Sequence, residues 1–371
     1  MNRREFLRLA GGAGAGILIG SLGAARDRST AFSEEGLKVS VRGGFVNLNG
    51  TGRIVIRALS LAPEIKIYAV GGAPRKMAVG ISNVRARQME LKGDAAEKVS
   101  VGETSLEAEF ALPGGGVTTI RTEYKRLPGE RLNFIAFSDT HLGDDAAEEH
   151  FARVLRHTNL RLPTFAVDAG DVVDVDEPAQ WNVANERFKG LKVPLFTTIG
   201  NHDSYLSTKL YRKHMGDLFY EFMIEGTQFL FLDNSQKYNK ATLYMDGAKP
   251  EEQWDWLVER LKAPAAHRIV FFHFPVYGNR SMLDPMYLQS TPPEKRKEEV
   301  ERMVKLFRES GVEYVCFGHL HSPAREVIDG ITHLRLGGGG GSRASETDDR
   351  SVSFAHFFID EQGIRDYTVY L

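Results

Sequence analysis

Five short blocks set the limits on how this chain folds: Asp139-Thr140-His141, Gly170-Asp171-Val172-Val173-Asp174, Gly200-Asn201-His202-Asp203, the single His273, and Gly318-His319-Leu320-His321. Each follows a short apolar run, namely Phe134–Phe137, Phe165–Val167, Leu195–Ile199, Ile269–Phe272 and Tyr314–Phe317. Runs of this length, rich in β-branched and aromatic residues, predict buried strands. Carboxylate, amide and imidazole donors therefore stand where strands end and loops begin. Open α/β sheets build their sites there, because loops at one sheet edge converge although their residues are far apart in sequence. No single block is specific: a Gly-Asn-His-Asp alone is an ordinary turn, an Asp-x-His alone an ordinary surface loop. Only the ordered set narrows the possibilities.

Between the blocks, helical patterns are predicted at about 145–158, 178–190, 250–262 and 294–310, with Glu251-Glu252 opening the third and Lys262 closing it as the helix dipole favours. The tail reads as four strands at about 324–328, 331–336, 354–359 and 365–370. The pentaglycine run Gly337–Gly341 lacks the following lysine and helix of a phosphate loop, so a flexible turn is expected there. Ahead of this α/β region, residues 36–126 alternate apolar and polar positions, as in Leu37-Val39-Val41 and Leu106-Ala108-Phe110, which predicts a small fibronectin-like β-sandwich. It holds no ligand constellation. The polar stretch Lys125–Glu130, with its Pro-Gly turn, is the predicted linker to a second domain over 131–371.

An apolar share of 42% is ample for packed cores, and a net charge of −2 with scattered lysines and arginines offers no footprint for a polyanionic backbone. Nucleic acid is therefore not expected as a main partner. The one cysteine, Cys316, excludes an intrachain disulfide and reads as a buried inert thiol. Six histidines outside the blocks, among them His150, His157 and His356, have no motif around them and read as surface or packing residues.

The blocks as a set resemble the calcineurin-like metallophosphoesterases, whose pattern is D-x-H, G-D-x-x-D, G-N-H-D or G-N-H-E, H, and G-H-x-H. The resemblance covers about residues 131–371 and takes in Leu232-Asp233 after a strand and Gln253-Trp254 opening a helix. It implies a two-sheet αββα sandwich and a metal-dependent phosphoesterase with two metal ions, iron, manganese or zinc. One metal would take Asp139, His141, Asp171 and His321, the other Asp171, Asn201, His273 and His319. Asp171 would bridge them, since a carboxylate spans two cations and an imidazole nitrogen binds one. The implied nucleophile is a bridging hydroxide. His202 would protonate the leaving oxygen and Asp174 would orient the His202 ring, while Asp203 would either assist or cap its turn, with capping the preferred reading. The ligand set is complete, which speaks against a binding protein that kept the fold and lost the chemistry.

Within the family, the blocks look closest to the bacterial cyclic-nucleotide and glycerophosphodiester phosphodiesterases. Purple acid phosphatases have a tyrosine where this chain has Asp174, and the protein phosphatases continue the second block with Arg-Gly where this chain has Val175-Asp176. The expected substrate is a small phosphate ester, a diester in preference, with a phosphomonoesterase of acid phosphatase or nucleotidase type as the alternative. Tyr205, Tyr277, Asn279 and Arg280 are candidate selecting residues on loops. Finally, Arg3-Arg4 followed by a glycine- and alanine-rich stretch resembles a twin-arginine export signal over residues 1–25. That stretch falls short of the ~20 apolar residues of a membrane span. Export would deliver the folded enzyme to the periplasm through the twin-arginine machinery.

Overall fold

A computed structural model describes residues 29–34, 37–48, 53–69, 75–93, 96–204, 207–235, 250–278, 281, 293–341 and 352–371. The expected export signal and the loop candidates Tyr205, Asn279 and Arg280 lie outside the described residues. Among those described, no helix is long and apolar enough to cross a membrane.

Period-two alternation gives the N-terminal region its form. One sheet has the order Ser29–Glu34 (β1), Leu37–Arg42 (β2), Glu64–Ala69 (β5), Gly116–Tyr124 (β10) and Met89–Gly93 (β7). The other runs Gly44–Leu48 (β3), Arg53–Ala58 (β4), Arg75–Ser82 (β6), Ser105–Leu112 (β9) and Ala96–Val101 (β8). Val39, Ile65, Ile67 and Ile120 of the first meet Ile54, Ile56, Val79 and Phe110 of the second in one buried cluster. A sandwich is what alternation predicts. It differs from a seven-stranded fibronectin-like domain in its ten strands among the described residues, in β1 lying before residue 36, and in β4 pairing parallel to β6.

Beyond the linker two further sheets face each other. The first has the order β13-β12-β11-β20-β21, from Leu132–Phe137 (β11), Phe165–Asp168 (β12), Leu195–Thr197 (β13), Ser353–Asp360 (β20) and Gly363–Tyr370 (β21). The second has the order β14-β15-β16-β17-β19-β18, from Tyr220–Ile224 (β14), Thr227–Phe231 (β15), His267–Phe271 (β16), Tyr314–Phe317 (β17), Ala324–Ile328 (β18) and Ile331–Arg335 (β19). Successive residues of β11 serve opposite layers: Phe134 and Ala136 enter the core between the sheets, Ile135 and Phe137 the core beneath the helices. Phe134 is stacked between Phe165 (5.0 Å) and Phe357 (4.4 Å), tying β11 to both its neighbours. Each such fully buried ring stabilises the fold by roughly 1.5–3 kcal/mol.

Helices cover both outer faces, which makes the layers αββα. Asp145–Arg161 (α1), Pro178–Phe188 (α2) and Lys209–Met215 (α3) pack on the first sheet through Phe151, Trp181 and Tyr211. Pro250–Arg260 (α4) and Pro293–Glu309 (α5) pack on the second through Leu257, Met303 and Phe307. The Asp144 carboxylate caps α1 by accepting from the Ala147 N–H at 2.9 Å.

Candidate metal centre

Strands β11, β12 and β13 run parallel, as do β15, β16, β17 and β19, so the segments after β11, β12, β13, β16 and β17 gather at one end of the sandwich. Three groups of donors result among the described residues, one of them His141, Asp174 and His202. In the other two, Asp139, His141, Asp171 and His321 hold ligand atoms within 4.8 Å of one another, and so do Asp171, His273 and His319. Asp171 belongs to both of these. Its carboxylate lies 3.7 Å from His141 Nε2 and 3.0 Å from His273 Nε2, while His321 Nε2 is 3.4 Å from Asp139 Oδ1. Asn201 sits between two residues that touch Asp171: the His202 N–H donates to Asp171 Oδ1 at 2.8 Å, and a Cβ on Gly200 would fall 2.1 Å from that same oxygen. Only glycine lets the third block approach this closely.

The hydrogen bonds the donors make suit them to cations. His273 Nδ1 donates to the Ala169 carbonyl at 2.9 Å, which leaves the neutral ring with a lone pair at Nε2 pointing at an anionic carboxylate. His141 Nδ1 donates to Asp174 Oδ1 at 3.1 Å, with the same consequence at its Nε2. Both Nε2 atoms and Asn201 Oδ1 are buried with no hydrogen-bond partner among the described residues. Such atoms are costly unless a cation meets them. The electrostatics agree. Burial opposes charge on His273, yet Asp171 outweighs it and raises the ring to about 10; burial likewise opposes charge on His141, and Asp174, Asp171 and Asp139 prevail. For Asp171, burial would raise the carboxyl, but His273, His202 and His141 hold it well below the ordinary carboxylate range. This pocket demands positive charge at the imidazoles, as protons or as metals. With nitrogen and oxygen donors and no thiolate, the residues fit borderline divalent cations.

Backbone geometry sets the ligands in place at a cost. Asp139, His141, Asp171, His319 and His321 all have positive φ, between 44° and 73°, where side-chain-bearing residues are strained. Backbone bonds hold them there: Asp139 N to Gly170 O at 2.9 Å, His141 N to Asp171 O at 3.0 Å, and His319 N to the Asp139 carboxylate at 3.0 Å. Asn234, which sequence reasoning missed, accepts from the His273 and Phe274 N–H groups at 3.0 Å each. Gln253 brackets the neighbouring Asp233 by bonding both its N–H and its carbonyl.

Two expectations need correction. The Asp174 carboxylate does not orient the His202 ring: His202 Nδ1 is 4.0 Å from Asp174 Oδ1 and donates instead to the Asp174 carbonyl at 2.6 Å. The carboxylate turns to His141, whose ring competes for it and holds it below the usual carboxylate range. The glycine run is no flexible turn either. Gly337–Gly341 is buried, and the Gly339 and Gly341 N–H groups donate to the Ser138 and Asp139 carbonyls at 2.6 and 2.7 Å. A Cβ on Gly341 would lie 2.5 Å from the His141 ring and 2.9 Å from the His321 ring, and one on Gly340 2.2 Å from the Thr140 carbonyl. The run is a backbone rail on which two imidazoles rest, and His150 Nδ1 meets it at the Gly340 carbonyl, 3.2 Å away.

The remaining residues fall as follows. Asp203 accepts from the Gly200 and Val173 N–H groups at 2.9 and 3.1 Å, the turn-capping role; burial, then Asp171, pushes it up to about 7. Cys316 is buried, and burial raises its thiol well above the ordinary value. Tyr277 rests against His333 with ring centres 5.8 Å apart.

Paired sheets with helices outside and a shared-carboxylate donor cluster at the strand ends define a metal-dependent phosphoesterase. The model of the calcineurin-like phosphoesterases matches residues 132–323, just over half the chain, and the chain belongs to that family. No curated protein sequence matches it. Among solved structures, purple acid phosphatase PPD1 from yellow lupin (Lupinus luteus) seeds aligns at 11% identity over 89% of this chain and 74% of its own, with a TM-score of 0.50. GAP50, the anchor in the inner membrane complex of Plasmodium, aligns at 17% over 65% and 84%, TM-score 0.49. A dimetal phosphatase from Danio rerio aligns at 17% over 65% and 99%, TM-score 0.46. At 11% identity the likeness to the lupin enzyme concerns the fold alone.

Proposed function

We propose that the enzyme hydrolyses small phosphodiesters with two metal ions sharing Asp171. The observation that carries this reading is the pair of donor groups meeting at one carboxylate, with the lone pairs of His141 and His273 turned toward it. Asp139, His141, Asp171 and His321 would hold one ion; Asp171, Asn201, His273 and His319 the other. When bound, such ions would supply Lewis acidity toward the phosphoryl oxygens and a more acidic water.

The chain's own part is to place and move a proton. The carbonyl of Asp174 can only accept, so His202 carries a proton on Nδ1, and its chemistry with the leaving oxygen passes through Nε2. His202 and Asp174 side chains are 32% and 40% exposed, against 0–3% for His273, Asp171 and His141, which supports reading His202 as the acid on the open side. Asp174, where purple acid phosphatases have tyrosine, supports the phosphodiesterase branch. The test is the ratio of catalytic efficiencies for a bis-aryl and a mono-aryl phosphate on one metal-loaded sample. A ratio favouring the monoester assigns the enzyme to the phosphomonoesterases instead.

Periplasmic delivery by the twin-arginine route is part of the same proposal, supported by Arg3-Arg4 and the small-residue stretch after them. Arg3→Lys with Arg4→Lys is expected to retain the enzyme in the cytoplasm, since the pair is read by a receptor. Normal periplasmic yield of the double variant refutes it.

A further inference from the structure

Arg57 belongs to the N-terminal sandwich, yet its side chain is buried against the catalytic domain. It leaves β4 opposite Phe45 of β3, and its guanidinium lies 5.5 Å from the ring centres of both Phe45 and Phe188, the last residue of α2. Nη2 donates to Asn185 Oδ1 at 2.9 Å and reaches the His214 carbonyl at 3.5 Å. A buried guanidinium is costly to place, so this one reads as a built contact between α2 and α3.

From there a continuous set of contacts leads to the site. Asn185 Nδ2 donates to His214 Nδ1 at 2.6 Å, and the His214 ring stacks on Trp181 at 5.4 Å with 7° between planes. The Trp181 indole N–H donates to Asp176 Oδ1 at 2.9 Å, while Asp176 Oδ2 accepts from the Ser207 N–H at 3.3 Å. Asp176, itself buried, thus ties α2 to the segment that follows His202. It also stands two residues from Asp174, whose carbonyl holds the His202 ring. A second strut joins the same helix to the same loop, from the Val175 N–H to Gln180 Oε1 at 2.5 Å.

We propose that the N-terminal sandwich acts as a positioning element for the acid half of the site: Arg57, seated between α2 and α3, sets the placement of His202 through Trp181 and Asp176. The proposal rests on the reading of His202 as proton donor to the leaving group. Asp139, Asp171, His273 and His319 are anchored by the sheets and by Asn234, so the brace bears chiefly on leaving-group protonation and reaches the metal ligands only through the Asp174–His141 hydrogen bond.

The test is Arg57→Met in the full-length protein, which keeps the contact over Phe45 and Phe188 and removes the hydrogen bonds. Metal content by elemental analysis is expected to stay at the wild-type value. The Trp181 indole N–H resonance is expected to shift, reporting its bond to Asp176. Turnover of an ester with an alkyl leaving group is expected to fall roughly 10–100-fold further than that of a nitrophenyl ester, which needs little protonation. Equal losses for both leaving groups, or an unmoved indole resonance, overturn the proposal. If Arg57→Met does not fold, Asn185→Ala removes the same bond from the other side and is read in the same way. Should the metal-loaded wild type cleave no phosphate ester, the proposed function fails, and the indole resonance still decides whether the brace exists.

Discussion

In the N-terminal sandwich, burial follows the strand period: Val39 and Val41, Ile54 and Ile56, Ile65 and Ile67 all point inward from relaxed, laddered backbone. At the ligand-bearing edge of the catalytic domain, the buried residues are aspartates and histidines on left-handed backbone, held by single hydrogen bonds from neighbouring loops. Among the described residues, the sandwich has one non-glycine residue with positive φ, Asn83, whereas five proposed ligands share that strain. The first arrangement stores stability in many interchangeable contacts. The second concentrates uncompensated charge and backbone strain where cations would relieve them, so it is specific at the expense of stability. Changes in the sandwich core should be felt as unfolding, changes at the site, or at the Arg57 brace that reaches it, as lost binding or chemistry.

Asp171→Asn attacks the site at its shared carboxylate and should have the largest effect: activity falls to background and metal content drops well below two per chain. Full dinuclear occupancy of the variant, by elemental analysis, would sink the assignment. His202→Ala should leave metal content intact while turnover falls roughly 10²–10⁴-fold for a poor leaving group and less for a nitrophenolate. Equal losses for the two esters would count against the acid role. On the other side of the comparison, Ile67→Ala in the sandwich core should lower unfolding free energy by about 2–5 kcal/mol with metal content unchanged. Loss of metal from the folded variant would show that the two regions are not separable in this way.

Gly341→Ala probes the glycine rail. Its added Cβ displaces the His141 and His321 rings, and metal affinity should weaken about 10–100-fold, as for other groups that orient ligands. Wild-type affinity in a competition with a chelator would return the run to a mere turn. The smallest effect is expected at the seam. Burial, with Lys213 and Arg57 nearby, lowers His214 to about 4, so the unfolded chain takes up that proton at higher pH than the folded one. The stability due to its neutral state is complete above the ordinary histidine value of 6.5, declines as pH falls, and is gone near 4. It should amount to about 2 kcal/mol between pH 7 and 4.5. His214→Gln should flatten that part of the profile in urea titrations; a slope parallel to wild type would contradict it.

What the sequence made legible follows from which interactions are local. The four predicted helices carry their own apolar stripes, and the five blocks stand beside the strands that position them. Helix α3, seven residues without a side-chain cap, is too short to announce itself by periodicity and exists because Tyr211 and Met215 find a core. Asn234 carries no motif, and its role appears only when β15 and β16 lie side by side. The direction of the Asp174 carboxylate was misread because its two candidate partners, His141 and His202, stand on different loops whose relative placement no spacing specifies. The glycine run was misread for a related reason: an absent side chain looks the same in sequence whether it frees the backbone or lets two backbones touch.

The first sheet of the catalytic domain is closed late in the chain. Strand β11 lies between β12 and β20, with Leu132 opposite Ile359, and the rail from Gly337 to Gly341 reaches back to Ser138 and Asp139. As the polypeptide emerges during synthesis, the loop bearing Asp139 and His141 is made early and lacks its supports until the last two strands appear. Pairings so distant in sequence form slowly, because the intervening chain must be brought to order before they repay it. The donor group of Asp139 and His141 is therefore expected to be completed late in folding, after the strands that support its loop have paired.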